Sequence, residues 1–243
     1  MTEKETVFIE LIGEPSTGKT HISSLFSNPF LADLTVRAKS QFVLKKLYPE
    51  DWKDRYARLT VYKDLEDALV KAHNDGRKTF IIETGAELRL FLGIEALKLI
   101  QKDKPQRQSL GTYEWKKVNE MFKDLVEKCM ITYKMNLIIT AELKDEWKAK
   151  QLTGRRKRDG YPKMNFFADL RLLLKIEKVV TEPNPETVVQ KRIAVVAKNG
   201  FISQLSDEWV DRIELPEDND PSEGKTFGII MKITGIDEER WTR

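Results

Sequence analysis

The 243-residue chain has a single cysteine, Cys129, and only two histidines, His21 and His73. One cysteine cannot close an internal disulfide, so a disulfide scaffold is excluded, and a zinc site built from several cysteines goes with it. Two histidines are too few for a histidine-rich metal centre. No apolar run approaches the roughly 18 residues that a membrane helix needs. Charge of one sign is lacking too: 42 basic residues nearly cancel 39 acidic ones, leaving a net +3. The whole-chain balance therefore names no partner, and any nucleic-acid signal must come from local clustering. Met1–Glu5 carries three charges in five residues and leads straight into a strand-like run, without the apolar core of a secretory leader. The expectation is a soluble, cytoplasmic protein in a reducing compartment.

What is present is enough apolar material, 40% of residues, to build a core and to argue against global disorder. Val7–Ile12 reads as a buried strand and Thr20–Phe26 as a helix ended by Asn28-Pro29. Leu34–Ala38 reads as a weak second strand and Gln41–Leu47 as a short helix. Arg58–Tyr62 reads as a strand. Asp64–Asn74 reads as a helix with the apolar face Leu65, Ala68, Leu69 and Ala72. A strong buried strand, Thr79–Ile82, is followed by a helix over Glu87–Gln101. The polar loop Lys102–Thr112 precedes a long amphipathic helix over Tyr113–Tyr133, and Asn136–Thr140 is a further buried strand. Leu143–Asn165 is dense in charge without apolar periodicity, so it reads as a loop. Leu170–Val180 and Val188–Ala197 form a hairpin across Glu182-Pro183-Asn184-Pro185. Beyond lie an acidic loop, Glu217–Gly224, and a last apolar stretch, Phe227–Ile233. Strands alternating with helices imply an α/β fold with a mainly parallel sheet covered on both faces. The expected organisation is a core over 1–205 and a C-terminal extension, 206–243, packed on it.

Gly13-Glu14-Pro15-Ser16-Thr17-Gly18-Lys19-Thr20 matches G-x-x-x-x-G-K-[ST] at every fixed position, with a buried strand before it and a helix after. The glycines let the backbone curl until its N–H groups converge on phosphate oxygens, and the helix start adds the positive end of its dipole. In this reading Lys19 reaches the β- and γ-phosphates of ATP and the Thr20 hydroxyl ligates Mg²⁺. The binding stretch runs on to His21, which also fits a plain packing or surface place. A second Gly-Lys-Thr, at Gly224-Lys225-Thr226, has Asn219 where the first glycine must stand and no apolar strand before it. It reads as ordinary loop.

Such a site needs a carboxylate at the end of a neighbouring buried strand to hold the Mg²⁺ shell. Thr79-Phe80-Ile81-Ile82-Glu83 fits: Glu83 can reach magnesium through a water, or orient the attacking water itself. An ordinary strand-end carboxylate is the plain alternative. The end of the next strand, Thr140 to Glu142, suits a group that senses the γ-phosphate. Glu142 is a candidate general base, or equally a solvated loop carboxylate. Lys19, Glu83 and Glu142 are thus the candidate catalytic set.

From Lys144 onward the chain carries Lys148, Lys150, Arg155, Arg156, Lys157, Arg158 and Lys163, flanked by Trp147 and Tyr161. Basic groups interleaved with aromatics are what single-stranded nucleic acid requires, charge for phosphates and flat rings for bases. Asp145, Glu146 and Asp159 dilute the field. A solvated charged loop, or a surface meeting an acidic neighbouring subunit, is the alternative.

In order, the phosphate loop, Phe80–Glu83, the long helix from Tyr113, Leu137–Glu142, the basic segment, Phe167-Ala168-Asp169 and a hairpin ending in Val196-Ala197-Lys198-Asn199-Gly200 resemble a known group. It is the RecA-like P-loop ATPase core of small phage and archaeal-virus proteins for single-strand annealing or recombination, over roughly residues 5–205. The resemblance implies a RecA-like α/β fold with a C-terminal antiparallel hairpin, Mg²⁺-dependent use of ATP, single-stranded DNA as partner, and a homo-oligomeric ring or filament, in a host cytoplasm if viral. It implies that Lys198 reaches a neighbouring subunit's γ-phosphate, and that 143–164 and 84–112 correspond to the second and first DNA-binding loops. Three features depart from that pattern. The second strand should end in an aspartate–glutamate pair, yet Val36-Arg37-Ala38-Lys39-Ser40 has no carboxylate. Glu83 stands for the usual aspartate, and no polymerisation segment is read before the phosphate loop.

The leading expectation is an ATPase coupled to single-stranded DNA in recombination, annealing or repair. The alternatives are a nucleotide-gated oligomeric scaffold with little hydrolysis, which the missing carboxylate favours, and a P-loop kinase with Arg155, Arg156 and Arg158 as its lid. Cys129, His73 and the tryptophans Trp52, Trp115, Trp209 and Trp241 read as packing.

Overall fold

The structure is a computed structural model that describes residues 6–35, 39–148, 151–159, 164–180, 188–199 and 212–215. The turn at 182–185, the second Gly-Lys-Thr, the stretch 227–233, Trp209, Trp241, Lys150, Tyr161 and Lys163 lie outside the described residues.

Six parallel strands form the body of one sheet, in the order β3 (Tyr56–Arg58), β2 (Pro29–Asp33), β4 (Thr79–Glu83), β5 (Asn136–Lys148), β1 (Phe8–Gly13) and β7 (Leu170–Val180). Antiparallel strands extend it: β8 (Val188–Asn199) pairs with β7, β9 (Arg212–Leu215) pairs with β8, and β6 (Gln151–Asp159) pairs with the far end of β5. Helices α1 (Lys19–Ser24) and α2 (Ser40–Leu47) cover one face, with Ile22, Phe26 and Leu44 against Ile9, Leu31, Ile81 and Ile138. Helices α3 (Tyr62–Asn74), α4 (Gly85–Gln101), α5 (Trp115–Glu127) and the short α6 (Met164–Phe167) cover the other, where Leu69, Leu92 and Phe122 meet Phe8, Phe80 and Leu137. This is the expected α/β architecture with its C-terminal hairpin. The expected apolar face of α3 is buried at all four positions. Cys129, in the π-helical turn that ends α5, is fully buried, and burial pushes its thiol pKa up.

Three expectations are corrected. The second strand is Pro29–Asp33, and Leu34 and Thr35, the described part of the expected Leu34–Ala38 strand that adjoins it, lie outside any strand. Proline is excluded from strand interiors but tolerated at the first residue, so Asn28-Pro29 opens a strand as well as closing a helix. The third strand ends at Arg58, because the Asp64 carboxylate accepts from the Thr60 and Val61 N–H groups and starts α3 at Tyr62. Third, the basic segment after Leu143 is not a loop. β5 continues past the ends of its parallel neighbours, and β6 returns along it. The hairpin is held by backbone pairing and by polar contacts such as Lys144 Nζ to Asp159 Oδ1 at 2.5 Å and Thr153 Oγ1 to Glu146 O at 3.0 Å. Strands with charge on both faces show no period-two alternation, so their sequence carries no strand signal. The helix expected over Glu87–Gln101 is α4, with polar chain after Gln101 as the sequence reads.

A buried ion cluster ties this hairpin to the sheet. Glu10, in the middle of β1, is fully buried. Its carboxylate accepts from Arg158 Nη1 at 2.7 and 2.9 Å and from Arg171 Nε at 2.8 Å. Arg158 thus makes an internal pair at the base of β6. Arg171 still faces Glu10 when Arg158 is removed, so the loss is that of hydrogen bonds to a charged group rather than of a whole pair. Arg158→Ala is expected to destabilise the fold by about 2 kcal/mol. Urea unfolding beside wild type checks this; an unchanged midpoint would show that the cluster contributes nothing to stability.

Candidate active site

The connection leaving β1 turns to α1 on one face, and the one leaving β4 turns to α4 on the other. Their divergence opens a crevice at the carboxyl ends of the strands, where α/β sheets bind ligands. A cleft of about 790 Å³ lies there. One wall is Pro15, Ser16, Gly18, Lys19, Thr20 and His21; the other is Thr35, Lys39, Ser40 and Val43; Glu83, Thr84, Glu87 and Glu142 complete it. Residues from the starts of α1, α2 and α4 line this space, and in α4 the Glu87 N–H is capped by the Thr84 hydroxyl.

The loop geometry explains its glycines. A Cβ on Gly13 would lie 2.5 Å from Thr17 Oγ1 and 2.9 Å from the Leu174 carbonyl oxygen. Gly18 has φ 89°, which disfavours side chains with a Cβ. Within this curl Lys19 is 6% exposed, and its Nζ donates to the carbonyls of Gly13 (3.0 Å) and Glu14 (2.8 Å). Burial lowers the Lys19 pKa, against the opposing pull of Glu142, Glu83 and Glu14. Glu83 is buried too, and burial raises its carboxyl to about 7 even though the Lys19 ammonium favours the charged form.

Two buried oxygens at the floor, Glu83 Oε2 and Thr140 Oγ1, have no hydrogen-bond partner. Leaving such groups unsatisfied costs about 1–3 kcal/mol each, so they call for a ligand or bound water. Among the described residues no group of three or more His, Cys, Asp or Glu could hold a metal by itself. Mg²⁺ is commonly held by one or two protein oxygens plus phosphates and waters, and Thr20 with Glu83 fits that pattern.

The opposite wall was not legible in the sequence. β2 ends in Asp33, in register with Glu83 on β4, so the second strand does end in a carboxylate. It is fully occupied: Oδ1 accepts from the Thr35 N–H (2.8 Å) and hydroxyl (2.6 Å), and Oδ2 from the hydroxyls of Ser40 and Tyr56. The signal was present, since Pro29-Phe30-Leu31-Ala32-Asp33 has the same apolar-run-then-acid form as Thr79–Glu83.

One solved structure of similar architecture is a KaiC-like protein from the hyperthermophilic archaeon Pyrococcus horikoshii OT3, with TM-score 0.51 and 14% identity, covering 88% of this chain and 86% of that one. The fold is RecA-like. No protein-family model matches the sequence, and no curated protein matches it. The likeness is therefore one of architecture.

On this RecA-like core the structure brings Pro15, Ser16, Gly18, Lys19, Thr20, His21, Glu83 and Glu142 into one cleft, while Gly13, Glu14 and Thr17 shape the loop without lining it. Glu142 is exposed at its mouth, opposite Gly13 in the strand register. The basic residues lie elsewhere: Lys148 ends β5, Arg155, Arg156, Lys157 and Arg158 lie in β6, and Lys198 lies in β8 opposite Arg171. Among the described residues no helix is long and apolar enough to cross a membrane.

The Glu83 shift has a signed consequence for the protein without nucleotide. Its carboxyl titrates near 4.5 when unfolded and about 7 when folded, so the folded state binds the extra proton between those values. Stability must fall as pH rises through that window. Glu83→Gln removes the effect: relative to wild type it should gain about 3 kcal/mol between roughly pH 4.5 and pH 8, from ~1.4 kcal/mol per unit. Denaturant unfolding at both pH values measures the gap. A constant gap would mean that Glu83 titrates normally.

Proposed function

We propose that this chain is a Mg²⁺-dependent ATPase that binds single-stranded DNA and acts as a homo-oligomer in recombination, annealing or repair. The observation that carries the reading is the conjunction in one cleft of the curled loop 13–20, the buried Lys19 and the unpartnered Glu83 oxygen. A polyphosphate would draw Lys19 from the two loop carbonyls and take hydrogen bonds from the loop N–H groups, the usual use of such a loop. Thr20 and Glu83 would hold Mg²⁺, whose charge would offset that of the β- and γ-phosphates. Glu83, with a carboxyl near neutrality, is suited to orient the attacking water or accept its proton. Glu142 at the cleft mouth is the second candidate. Asp33, with four donors already on its two oxygens, is not available for that role.

For nucleic acid, the reading rests on the β5–β6 hairpin, in which β5 continues past the carboxyl ends of its parallel neighbours β4 and β1. Lys148, Arg155, Arg156 and the exposed Lys157 are its basic positions, with Lys150, Tyr161 and Lys163 proposed from sequence alone. Cytoplasmic location, the core boundary near residue 205, and Lys198 as a residue acting on a neighbouring subunit are proposed on the same resemblance. A second reading, a nucleotide-gated scaffold with little turnover, is favoured by the saturation of Asp33.

ATP turnover with and without single-stranded DNA tests this. The expected result is Mg²⁺-dependent hydrolysis that rises with DNA and falls at least about a hundredfold in Lys19→Ala, the scale of losing a charge-stabilising donor. Lys157→Glu should lower the DNA-stimulated increment and make it less salt-sensitive, because fewer phosphate contacts release fewer counterions. Tight ATP binding without turnover would select the scaffold. Turnover indifferent to DNA would overturn the DNA-coupled reading.

A further inference from the structure

The cleft has a charge imbalance that the phosphate loop alone does not meet. Among its described lining residues Glu83, Glu87 and Glu142 face only two lysines, Lys19 and Lys39. Lys19 belongs to the phosphate loop and serves any nucleotide with a β-phosphate. Lys39 belongs to the opposite wall, one residue before α2.

That wall is held in place. The Ser40 hydroxyl donates to Asp33 Oδ2, and Thr35 donates both its N–H and its hydroxyl to Asp33 Oδ1. Asp33 is the register partner of Glu83 on the adjacent strand, and adjacent strands lie about 4.8 Å apart. The start of α2 is thereby fixed beside the end of the cleft that holds Glu83, while the first phosphates of a nucleotide would sit on the loop N–H groups. Lys39 is exposed, whereas Lys19 is buried in the curl of the loop. A flexible lysine on a pinned backbone is suited to meet charge at that end.

We propose that Lys39 contacts the γ-phosphate from within the same subunit and makes the cleft prefer nucleoside triphosphate over diphosphate. The assignment rests on the nucleotide-binding reading above. It differs from a cation donated by a neighbouring subunit because the residue and the phosphate loop share one chain. The γ-phosphate brings further negative charge to a place where three carboxylates already gather. Lys39 offsets that charge in the triphosphate complex and has little to offset in the diphosphate complex.

The test is calorimetric binding of ATP, as a slowly hydrolysed analogue, and of ADP, each with Mg²⁺, to the full chain. Wild type, Lys39→Ala and Lys39→Arg are compared at two protein concentrations about tenfold apart. The expected result is that Lys39→Ala weakens triphosphate binding about tenfold or more, the size of one hydrogen bond to a charged group, with diphosphate binding changed less than about twofold. Lys39→Arg should retain the preference, and the effect should be equal at both concentrations. A triphosphate preference in Lys39→Ala equal to that of wild type overturns the assignment and leaves the nucleotide reading standing. A preference that appears only at the higher concentration overturns it in favour of a cation from another subunit. Wild type that binds neither nucleotide overturns the nucleotide reading and this assignment together.

Discussion

An ammonium and a carboxylate, Lys19 at the start of α1 and Glu83 at the end of β4, are buried in the same cleft, and no direct ion pair joins them. Taking both out of solvent costs energy that their mutual attraction does not fully return. The rest of the site is the consequence. Lys19 turns to the carbonyls of Gly13 and Glu14. Glu83 shifts toward its neutral form and keeps an oxygen without a partner. Such a site is poised for a charged ligand, because ligand oxygens and a cation can replace poor internal contacts with better ones.

The two strand-end carboxylates show how environment divides roles between similar groups. Asp33 and Glu83 are neighbours in register. Asp33 is surrounded by Thr35, Ser40 and Tyr56, and its oxygens act as a structural hub that anchors the start of α2. Glu83 has a hydrophobic strand behind it and the cleft in front. The first organises a wall and the second remains available for chemistry. Two carboxyls with opposed environments are the usual ground for separating an active group from a supporting one.

A second buried acid, Glu10, does similar structural work away from the cleft. It lies three positions before Gly13 on β1 and receives Arg158 and Arg171 from two other strands. Through it the base of the β5–β6 hairpin is joined to the strand that carries the phosphate loop.

Much of this protein is determined by local sequence. The phosphate loop is legible because tight curvature and close backbone approach admit few residue types, and Gly13, Gly18, Lys19 and Thr20 are those types. The apolar strands before Gly13 and Glu83 and the amphipathic faces of α3 and α5 are legible because burial imposes a period on the sequence. What stayed hidden was settled by contacts between distant segments. Pro29 opens a strand only because β4 and β3 lie ready to pair with it. The hairpin of charged residues after Leu143 exists because β5 is already anchored in the sheet and offers an edge. Glu10 reads as an interruption in an apolar run until Arg158 and Arg171 arrive from about 150 residues away. Sequence by itself determined the curl of the loop 13–20, since its geometry is contained in eight consecutive residues. Only the tertiary structure decided which carboxylate is open to the cleft and which is closed, because that depends on hydroxyls brought together by the sheet register.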